Sequence, residues 1–523
     1  MHQNKIIPRI WTHWRLWLAA VILAGLAWRI IDYLLNYPFL KDEASVGLNI
    51  LQKSYSQLTG PLDIDQVCPV GFLWLSKFAL TVLGTNTLVL RFVPLLAGIG
   101  AVFLTWSTVK RFAGRNAALL ATGLIACSLQ TVRLSTDFKP YSLDLLIAMG
   151  YISLALWAIR RPSDWRPLLA LILFTVPAIG FSYPCIFIAA SVGLCLLPRM
   201  LLKVQWRQRF LWAAFCTITV VTFGVIFFAV TKAQMNFTRT AMQQFWRDSF
   251  PPHNLGIFWW IFQAIFSNMM SYPLGGGKGV SFLITPLCVL GAARLGVKRR
   301  FPELILLAGP FILTFGAAFF HIYPYGFQAR VAQHLVPSIA LLFSIGAVSL
   351  IAFAVRKRRS TALFKQIISG LCALLVIFAL FCTIKDILQP PADFANSVNE
   401  RHLIMSVFKN AGPGTQIVIE KEPYYFTESQ WYLATQSHPF RADGQIDIDR
   451  LSQKNADLWV MNFDSTPNSD LGQHILQTLS EKGLPLHEAE SLSIILYSPG
   501  EALIHGRAVH FIPNAPTTHK TGS

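Results

Sequence analysis

Two adjacent carboxylates, Asp42 and Glu43, follow the first long apolar run of the chain. Neighbouring side chains point in different directions, so one carboxylate can face a cavity while the other caps a helix or binds an ion. A carboxylate beside a membrane can act as a general base and take a proton from a sugar or lipid hydroxyl. In the structural alternative, Asp42 caps a helix and Glu43 lies in its first turn, where the helix macrodipole favours negative charge.

Two further carboxylates, Asp63 and Asp65, lie in the stretch GPLDIDQVCPVGF. Pro and Gly exclude a regular element over much of this stretch. Both carboxylates are candidates for contacts to a substrate or a metal beside Asp42. The alternative is an ordinary turn whose carboxylates are solvated.

Charged residues also cluster in RLSTDFKPYSLD, between two apolar runs. Arg133 and Lys139 can bind a phosphate through charge-assisted hydrogen bonds, or they can extend to lipid headgroups. Asp137 can pair with either cation. Asp144 falls inside the next apolar run, where an ionisable residue needs a partner or a water-filled cavity.

A fourth polar stretch is HIYPYGFQARVAQH. Arg330 and His334 are four residues apart, so a helix would place them on one face. Arg330 is either a phosphate ligand or a structural cation. Arg29 and Asp32, three apart in the first apolar run, are predicted to form a helical ion pair, with a role toward the following polar loop as the alternative. Weaker candidate cations are Arg239, Arg247 and Lys278.

These polar stretches are carried by a very apolar chain. Of its 523 residues, 54% are hydrophobic and 13% are charged, whereas soluble domains carry about 25% charged residues. Apolar runs near the ~20 residues that cross a bilayer recur over most of the chain. The sequence therefore predicts a polytopic α-helical membrane protein. The predicted spans, about eleven, are 14–34, 88–109, 115–132, 141–159, 167–182, 184–198, 210–230, 281–296, 302–320, 331–355 and 362–384.

The basic residues lie mainly in alternate short loops. Six loops hold 22 of the 44 Lys and Arg residues, with Asp164 as their one acidic residue. Short loops with this bias face the cytoplasm. The N-terminus is therefore predicted inside and the C-terminus outside, and the net charge of +18 needs no nucleic-acid partner. The six loops are 5–15, 110–115, 160–166, 199–209, 294–300 and 356–365.

Two shorter apolar stretches, Val70–Leu83 and Leu255–Met270, would break this alternation if either one alone crossed the membrane. At under ~18 residues each, they are predicted to lie as helices in the outer interface. The stretch Ala44–Leu58 has apolar residues at helical spacing, which predicts a third such helix that begins next to Asp42.

The composition changes to that of a soluble domain after Lys385, at LQPPADF. Predicted strands and a helix follow, which indicates a small α/β domain, with a loosely ordered tail after Gly506. The predicted domains are therefore a transmembrane catalytic domain, 1–385, and an extracytoplasmic domain, 386–523. The predicted elements are the strands Thr415–Glu420, Leu458–Asn462 and Leu492–Tyr497 and the helix Asp470–Lys482.

The eight cysteines show neither a paired spacing for zinc nor a disulfide framework. Almost all fall within apolar runs, which is typical of small buried side chains. The sequence predicts no definite cofactor, and a divalent metal at the carboxylates is left open.

The chain resembles the GT-C glycosyltransferases, specifically the group of protein O-mannosyltransferases and aminoarabinose transferases (bacterial family 39-type glycosyltransferases). The acidic pair after the first span is similar to the signature of that superfamily. GPLDIDQVCPVGFLWLSK, STDFKPYSLDLL and YPYGFQARVAQHLVPSIALL are similar to segments of bacterial members, and so is the placement of Arg29. The resemblance covers about residues 1–385.

The resemblance implies a GT-C-like fold, a polyprenyl-phosphate-linked sugar as donor and transfer on the outer face, normally with inversion. It implies that Asp42 is the general base that deprotonates the acceptor hydroxyl, while Glu43 orients it or helps to bind an ion. It further implies that Lys139, with Arg133 or Arg330, holds the donor phosphate. The remaining substrate-binding residues expected are Asp63, Asp65, Asp137, Tyr141 and His334.

The expected partners are this lipid-linked donor, a lipid, glycan or protein acceptor, and the lipids of a bacterial inner membrane. A transporter or flippase of lipid-linked sugars is the alternative function. It would be expected to carry broken helices and midplane charges in repeated halves, whereas the polar residues here concentrate near the outer ends of the spans. A structural or sensor protein, the third interpretation, leaves the acidic pair and the outer cations unexplained.

The predicted topology can be tested by labelling single introduced cysteines from outside intact cells. Asn399→Cys is expected to react with a membrane-impermeant maleimide, because Asn399 follows the last span. Ser360→Cys lies in a basic loop and is expected to react only after the membrane is permeabilised. Labelling of the Ser360 variant but not of the Asn399 variant in intact cells would overturn the topology.

Overall fold

The structure, a computed structural model, describes most of the chain up to Ala411 and shorter pieces beyond it. The described residues are 13–201, 205–276, 279–356, 360–389, 392–411, 415–419, 431, 435, 440–441, 458–464, 477, 480–481, 486–496 and 504–513. Lys203, Lys278 and the basic run 357–359 lie outside them, as does most of the predicted helix Asp470–Lys482.

The described part is mostly helical. Its helices are α1 (Trp14–Leu35), α2 (Lys41–Gln52), α3 (Val70–Leu83), α4 (Thr87–Ala113), α5 (Arg115–Ala126), α6 (Leu129–Thr136), α7 (Tyr141–Arg160), α8 (Arg166–Phe181), α9 (Cys185–Leu201), α10 (Trp206–Ile226), α11 (Lys232–Phe245), α12 (Ile257–Ile265), α13 (Ser281–Val297), α14 (Phe301–Phe319), α15 (Val336–Arg356), α16 (Thr361–Leu388) and α17 (Ala392–Asn410).

The chain is a multi-pass membrane protein. Among the described residues, seven helical segments are long and apolar enough to cross a bilayer, or eight if the bent pair α5–α6 is one span. The other predicted spans coincide with α8, α9 and α13, which are apolar but have only 16 or 17 residues. Each predicted span therefore coincides with a helix or, at 115–132, with a pair of helices, while the number eleven stays a prediction.

The two stretches predicted as short helices also form short helices. α3 has the bounds that the sequence predicted, and α12 is followed by a 3-10 turn at Asn268–Met270. Trp74, Phe78 and Val82 on α3 are exposed, which leaves an apolar face open for lipid.

The predicted span 115–132 is broken, and a buried arginine bonds to the break. α5 ends at Ala126, and α6 leaves at an angle of 52°. Arg29 of α1 is fully buried and donates to the carbonyl oxygens of Ala126 at 2.6 Å and Ile125 at 2.8 Å. The hydroxyl of Thr131 also donates to Ile125, at 2.6 Å. These bonds satisfy the carbonyl groups at the end of α5, which have no partner within their own helix and no water in an apolar surrounding.

The predicted ion pair between Arg29 and Asp32 is wrong, because the guanidinium of Arg29 is directed at these carbonyl groups and Asp32 pairs elsewhere. Gly25 makes the approach between α1 and α5 possible. A Cβ at Gly25 would lie 2.5 Å from the Ala126 carbonyl oxygen, far inside van der Waals contact, so a larger residue would push α1 away from the break.

The chain divides into two compact units. One comprises Met1–Asn36 and Lys53–Gln389, and the other comprises Tyr37–Gln52 and Pro390–Ser523. The boundary near Gln389 lies close to the change in composition seen in the sequence. The grouping of Tyr37–Gln52 with the C-terminal residues was not expected from the sequence.

Within the second unit, α2 packs against the buried Trp431. The ring centroids of Phe39 and Trp431 are 5.1 Å apart. A Cβ at Gly47 would lie 2.9 Å from the Trp431 ring, so only glycine permits this contact. α2 ends at Gln52, and the predicted helix Ala44–Leu58 is therefore too long at its C-terminal end.

The C-terminal residues of the second unit form a mixed sheet. Its strands are β1 (Gln416–Ile419), β2 (Phe440–Arg441), β3 (Leu458–Asp464), β4 (Leu486–Leu496) and β5 (Ile504–Pro513), in the order β2-β1-β3-β5-β4. β1 pairs in parallel with β2 and β3, while β5 pairs antiparallel with β3 and β4. The three predicted strands are confirmed within the described residues, where they overlap β1, β3 and the C-terminal half of β4.

The expectation of a loosely ordered tail after Gly506 is wrong up to Pro513. These residues belong to β5, whose backbone pairs with strands on both sides. β5 therefore lies inside the sheet, where its backbone groups are satisfied. Val509 and Phe511 are fully buried. Residues 514–523 lie outside the described part.

Candidate active site

Lys139 lies in the turn between α6 and α7, and a neighbouring loop fixes its side chain. Its Nζ donates to Oε1 of Gln66 at 2.8 Å, and Nε2 of Gln66 donates to the carbonyl oxygen of Ile64 at 2.9 Å. Ile64 and Asp65 both have positive φ angles, 58° and 51°, a conformation that is unfavourable for a β-branched residue. The strained turn aims the buried Gln66 amide at Lys139.

The same loop is attached further along at Cys68. The backbone N–H of Cys68 donates to Oε1 of Gln234 at 3.1 Å, and the hydroxyl of Tyr183 donates to the Cys68 carbonyl oxygen at 3.1 Å. Burial raises the pKa of the Cys68 thiol to about 12, so the thiol is protonated and unreactive. The two hydrogen bonds at Cys68 hold the loop before α3 in place next to Lys139.

Arg133 on α6 is held by two carboxylates. It forms an ion pair with Asp32 of α1, and its Nη2 bonds to Oδ1 of Asp386, near the end of α16, at 2.6 Å. Trp28 Nε1 also donates to Asp386, at 2.9 Å, and the Thr136 hydroxyl donates to Asp32. Asp32 and Asp386 are 3% and 6% exposed. This network joins three helices and fixes the position of Arg133, whose part in phosphate binding stays a prediction.

Asp386 was not anticipated as a network residue. It lies two residues beyond the predicted end of its span. An ionisable residue so close to the end of a long apolar run is expected to have a charged or polar partner. The sequence does not show which residue that partner is.

Asp137, Tyr141 and Asp144 surround the start of α7. Asp137 and Tyr141 are partly exposed, and Asp144 is 4% exposed, in the first turn of the helix. The hydroxyl of Ser182, at the end of α8, is the polar group that faces this buried carboxyl group. A part for Asp144 in ligand binding stays a prediction.

Asp42 and Glu43 lie in the first turn of α2, in the second unit. Glu43 is 2% exposed, and its Oε2 accepts a hydrogen bond from the backbone N–H of Leu40 at 3.0 Å. Glu43 therefore stabilises the start of the helix, which is the role given to it by the structural alternative. Asp42, one residue earlier, is partly exposed.

Asp63 and Asp65 are both exposed. Asp63 pairs with Lys53 at 3.0 Å, which agrees with the expectation of a turn with solvated carboxylates. Their part in substrate binding stays a prediction.

Arg330 and His334 do not share a helix face, so that expectation is wrong. α15 begins only at Val336, after turns and a 3-10 helix at Gln333–Leu335. Arg330 lies over the rings of Phe245 and Trp246, 5.2 Å and 5.0 Å from their centroids. His334 is fully buried, with Nε2 3.0 Å from the hydroxyl of Thr314, as in a structural core histidine.

The chain is similar in sequence to a family of known proteins and in structure to a solved protein. Residues 67–230 match the family model for dolichyl-phosphate-mannose-protein mannosyltransferase. The structure is similar to that of ArnT from Cupriavidus metallidurans in the apo state, with a TM-score of 0.51 and 12% identity over 94% of this chain and 97% of ArnT. The chain has the fold of the GT-C glycosyltransferases.

A second ArnT structure, bound to undecaprenyl phosphate, gives a TM-score of 0.53 at 11% identity, over 96% of this chain and 98% of ArnT. No curated protein sequence matches the chain. The likeness is therefore one of GT-C fold over almost the whole chain, with little remaining sequence identity.

This GT-C structure also contains a cavity that the sequence did not indicate. It has a volume of about 660 Å³ and lies between the loop after α11, α12 and the turn after α14. Arg247, Asp248 and Trp260 line it, together with the stacked rings of His253 and His321, whose centroids are 5.3 Å apart. Aromatic walls with a few polar groups are typical of pockets for polar organic ligands. Of these residues only Arg247 was a candidate, because the sequence does not show that His321 lies next to the segment 247–260.

The described residues contain no group of three or more His, Cys, Asp or Glu side chains that could hold a metal ion.

The positioning role of Arg133 can be tested by thermal unfolding in detergent. Arg133→Met is expected to destabilise the protein by about 3–5 kcal/mol, because it removes the cation that forms ion pairs with both buried carboxylates, Asp32 and Asp386. Adding Asp32→Asn and Asp386→Asn to that variant is expected to restore part of the lost stability. An Arg133→Met protein that melts at the wild-type temperature would contradict the role.

Proposed function

We propose that this protein is a membrane glycosyltransferase that moves a sugar from a polyprenyl-phosphate donor to an acceptor hydroxyl on the extracytoplasmic face of a bacterial inner membrane. The observation that carries the proposal is the fold match, over 96% of the chain, to ArnT bound to undecaprenyl phosphate. The family model that matches residues 67–230 is also named for a polyprenyl-phosphate-linked sugar.

Lys139 is the proposed ligand of the donor phosphate. Two features of the first unit support this role: the Gln66 amide orients the ammonium group, and the Cys68 loop beside it is anchored. A cation that is already held in place stabilises charge on a leaving phosphate without reorganisation during the reaction. Arg330, fixed over two aromatic rings, is the proposed second cation.

Asp42 is the proposed general base. It would take the proton from the acceptor hydroxyl, and the resulting oxygen nucleophile would bond to the anomeric carbon as the bond from that carbon to the phosphate oxygen breaks. The electron pair leaves with the phosphate, so a good leaving group is expelled without a second acid. Glu43 supports this step by holding the first turn of α2 through its bond to Leu40.

The role of Asp42 can be tested with purified protein and a panel of polyprenyl-phosphate sugars, by following which donor is consumed. Asp42→Asn is expected to lower transfer by about 10²–10⁴-fold, the usual contribution of a general base, while donor binding is retained. Glu43→Gln keeps an oxygen that accepts the hydrogen bond from the Leu40 N–H, so it is expected to lower the transfer rate less than Asp42→Asn does. Asp164→Asn, in a loop predicted to be cytoplasmic, is the matched control. Wild-type rates for Asp42→Asn would exclude it as the base.

Lys139→Ala is expected to reduce kcat/KM for the donor by about 10- to 100-fold, because one charge-assisted hydrogen bond to phosphate is lost. Lys77→Ala removes a lysine from α3 in the same unit and is expected to change kcat/KM less than about twofold. Gln66→Ala is expected to have an intermediate effect, since it frees the Lys139 side chain. An unchanged KM and kcat for Lys139→Ala would remove Lys139 as the phosphate ligand.

A further inference from the structure

A second charged cavity lies in the first unit, among the loops that are predicted to face the cytoplasm. It has a volume of about 570 Å³ and lies between the ends of α13 and α15 and the start of α5. Four basic residues line it: Arg294, Lys298, Arg300 and Arg356. None of the residues that line it is acidic. The cavity therefore has a strongly positive rim.

Below the basic rim, the cavity has an apolar wall that is open at the protein surface. Leu290, Leu350 and Phe353 line it and are 36%, 48% and 74% exposed. A soluble anion would leave this wall uncovered. An occupant with an anionic head and an apolar chain would satisfy both parts of the cavity.

The two helices that form the cavity are in direct backbone contact. A Cβ at Gly291 would lie 2.0 Å from the Leu342 carbonyl oxygen, and a Cβ at Gly346 would lie 1.9 Å from that of Leu287. Small residues at such positions allow membrane helices to pack closely. The helices that form the walls of the cavity are therefore held at a fixed separation.

The four cations at the rim differ in their ion pairs and ring contacts within the protein. Arg300 pairs with Glu303 at 2.8 Å and lies over the ring of Phe112, 4.4 Å from its centroid. Arg294, Lys298 and Arg356 are exposed and have no ion-pair partner in the ranges that the structure describes. Positive charge on this side is expected from the positive-inside rule, but that rule does not account for three cations that converge on a cavity.

We propose that this cavity binds an anionic phospholipid, with its phosphate groups between Arg294, Lys298 and Arg356 and an acyl chain along Leu290 and Phe353. Basic pockets between transmembrane helices on this side of a membrane are typical sites for lipids with phosphate headgroups. A lipid with two phosphates, such as cardiolipin, matches three available cations better than a lipid with one. The site is separate from the proposed sugar transfer and does not depend on it.

The test measures lipid binding to the purified full-length chain by native mass spectrometry. Cardiolipin, phosphatidylethanolamine and inorganic phosphate are titrated separately, and then phosphate is added to the cardiolipin complex. The wild-type protein is expected to bind one cardiolipin at least about tenfold more tightly than phosphatidylethanolamine, since each cation near the surface contributes about fivefold to the binding constant. Millimolar phosphate is expected not to displace the lipid.

Two variants and a control locate the site. R294Q/K298Q/R356Q is expected to lose at least about tenfold in cardiolipin affinity. Ser349→Trp fills the cavity without changing any charge and is expected to lose a similar factor. R161Q/R166Q/K365Q removes three exposed basic residues outside the cavity and is expected to stay within about twofold of the wild type.

Three outcomes would overturn the proposal. An equal loss in the control variant would show attraction to the whole basic surface, and displacement by phosphate would show a site for a soluble anion. Wild-type affinity in Ser349→Trp would show that the lipid does not enter the cavity. If the triple variant fails to fold, as judged by its elution in size-exclusion chromatography, the Ser349 variant and the phosphate competition still decide the question.

Discussion

The bonds from Arg29 to the end of α5 are the interaction on which the first unit depends. A helix that ends inside an apolar unit leaves carbonyl groups that neither its own turns nor water can satisfy. The guanidinium bonds to two of them, at Ile125 and Ala126, and Gly25 lets α1 come close enough for this contact. The chain can then turn by 52° and continue as α6, which an unbroken span would not allow.

The turn brings polar residues together at the end of α6. Arg133 meets Asp32 and Asp386 from two other helices, so the direction of α6 is fixed by charge as well as by packing. The turn that follows carries Lys139, whose ammonium group is oriented by an amide from the strained loop before α3. The segment that carries Lys139 is thus held at Arg133 by two carboxylates and at Lys139 itself by the Gln66 amide. These partners are distant from the segment in sequence.

The first unit uses its basic residues in three ways that the sequence does not distinguish. Arg29 and Arg133 make internal contacts, Lys139 and Arg330 are the cations proposed to bind the donor phosphate, and Arg294, Lys298 and Arg356 line a cavity with an apolar wall. The formal net charge of +18 therefore combines cations in structural contacts with cations for which catalytic and lipid-binding roles are proposed. Their contacts separate them, because Arg29 and Arg133 bond to carbonyl groups and carboxylates of other helices, whereas Arg294, Lys298 and Arg356 are exposed to a ligand.

Hydropathy by itself determined the membrane helices of this protein, and the alternation of basic loops set α3 and α12 apart from the predicted spans. Hydropathy could do so because the free energy of placing a helix in lipid is a sum over that helix's own residues. The α-helical class and the strands β1 and β3 followed for the same local reason. Only the tertiary structure decided that Arg29 binds carbonyl groups, that Arg133 pairs with Asp32 and Asp386, that His334 is buried beside Thr314, and that α2 packs on Trp431. Those contacts join residues that are from 20 to about 390 positions apart in the sequence. Which buried groups pair depends on which helices pack against one another, and no single segment of the sequence specifies that packing.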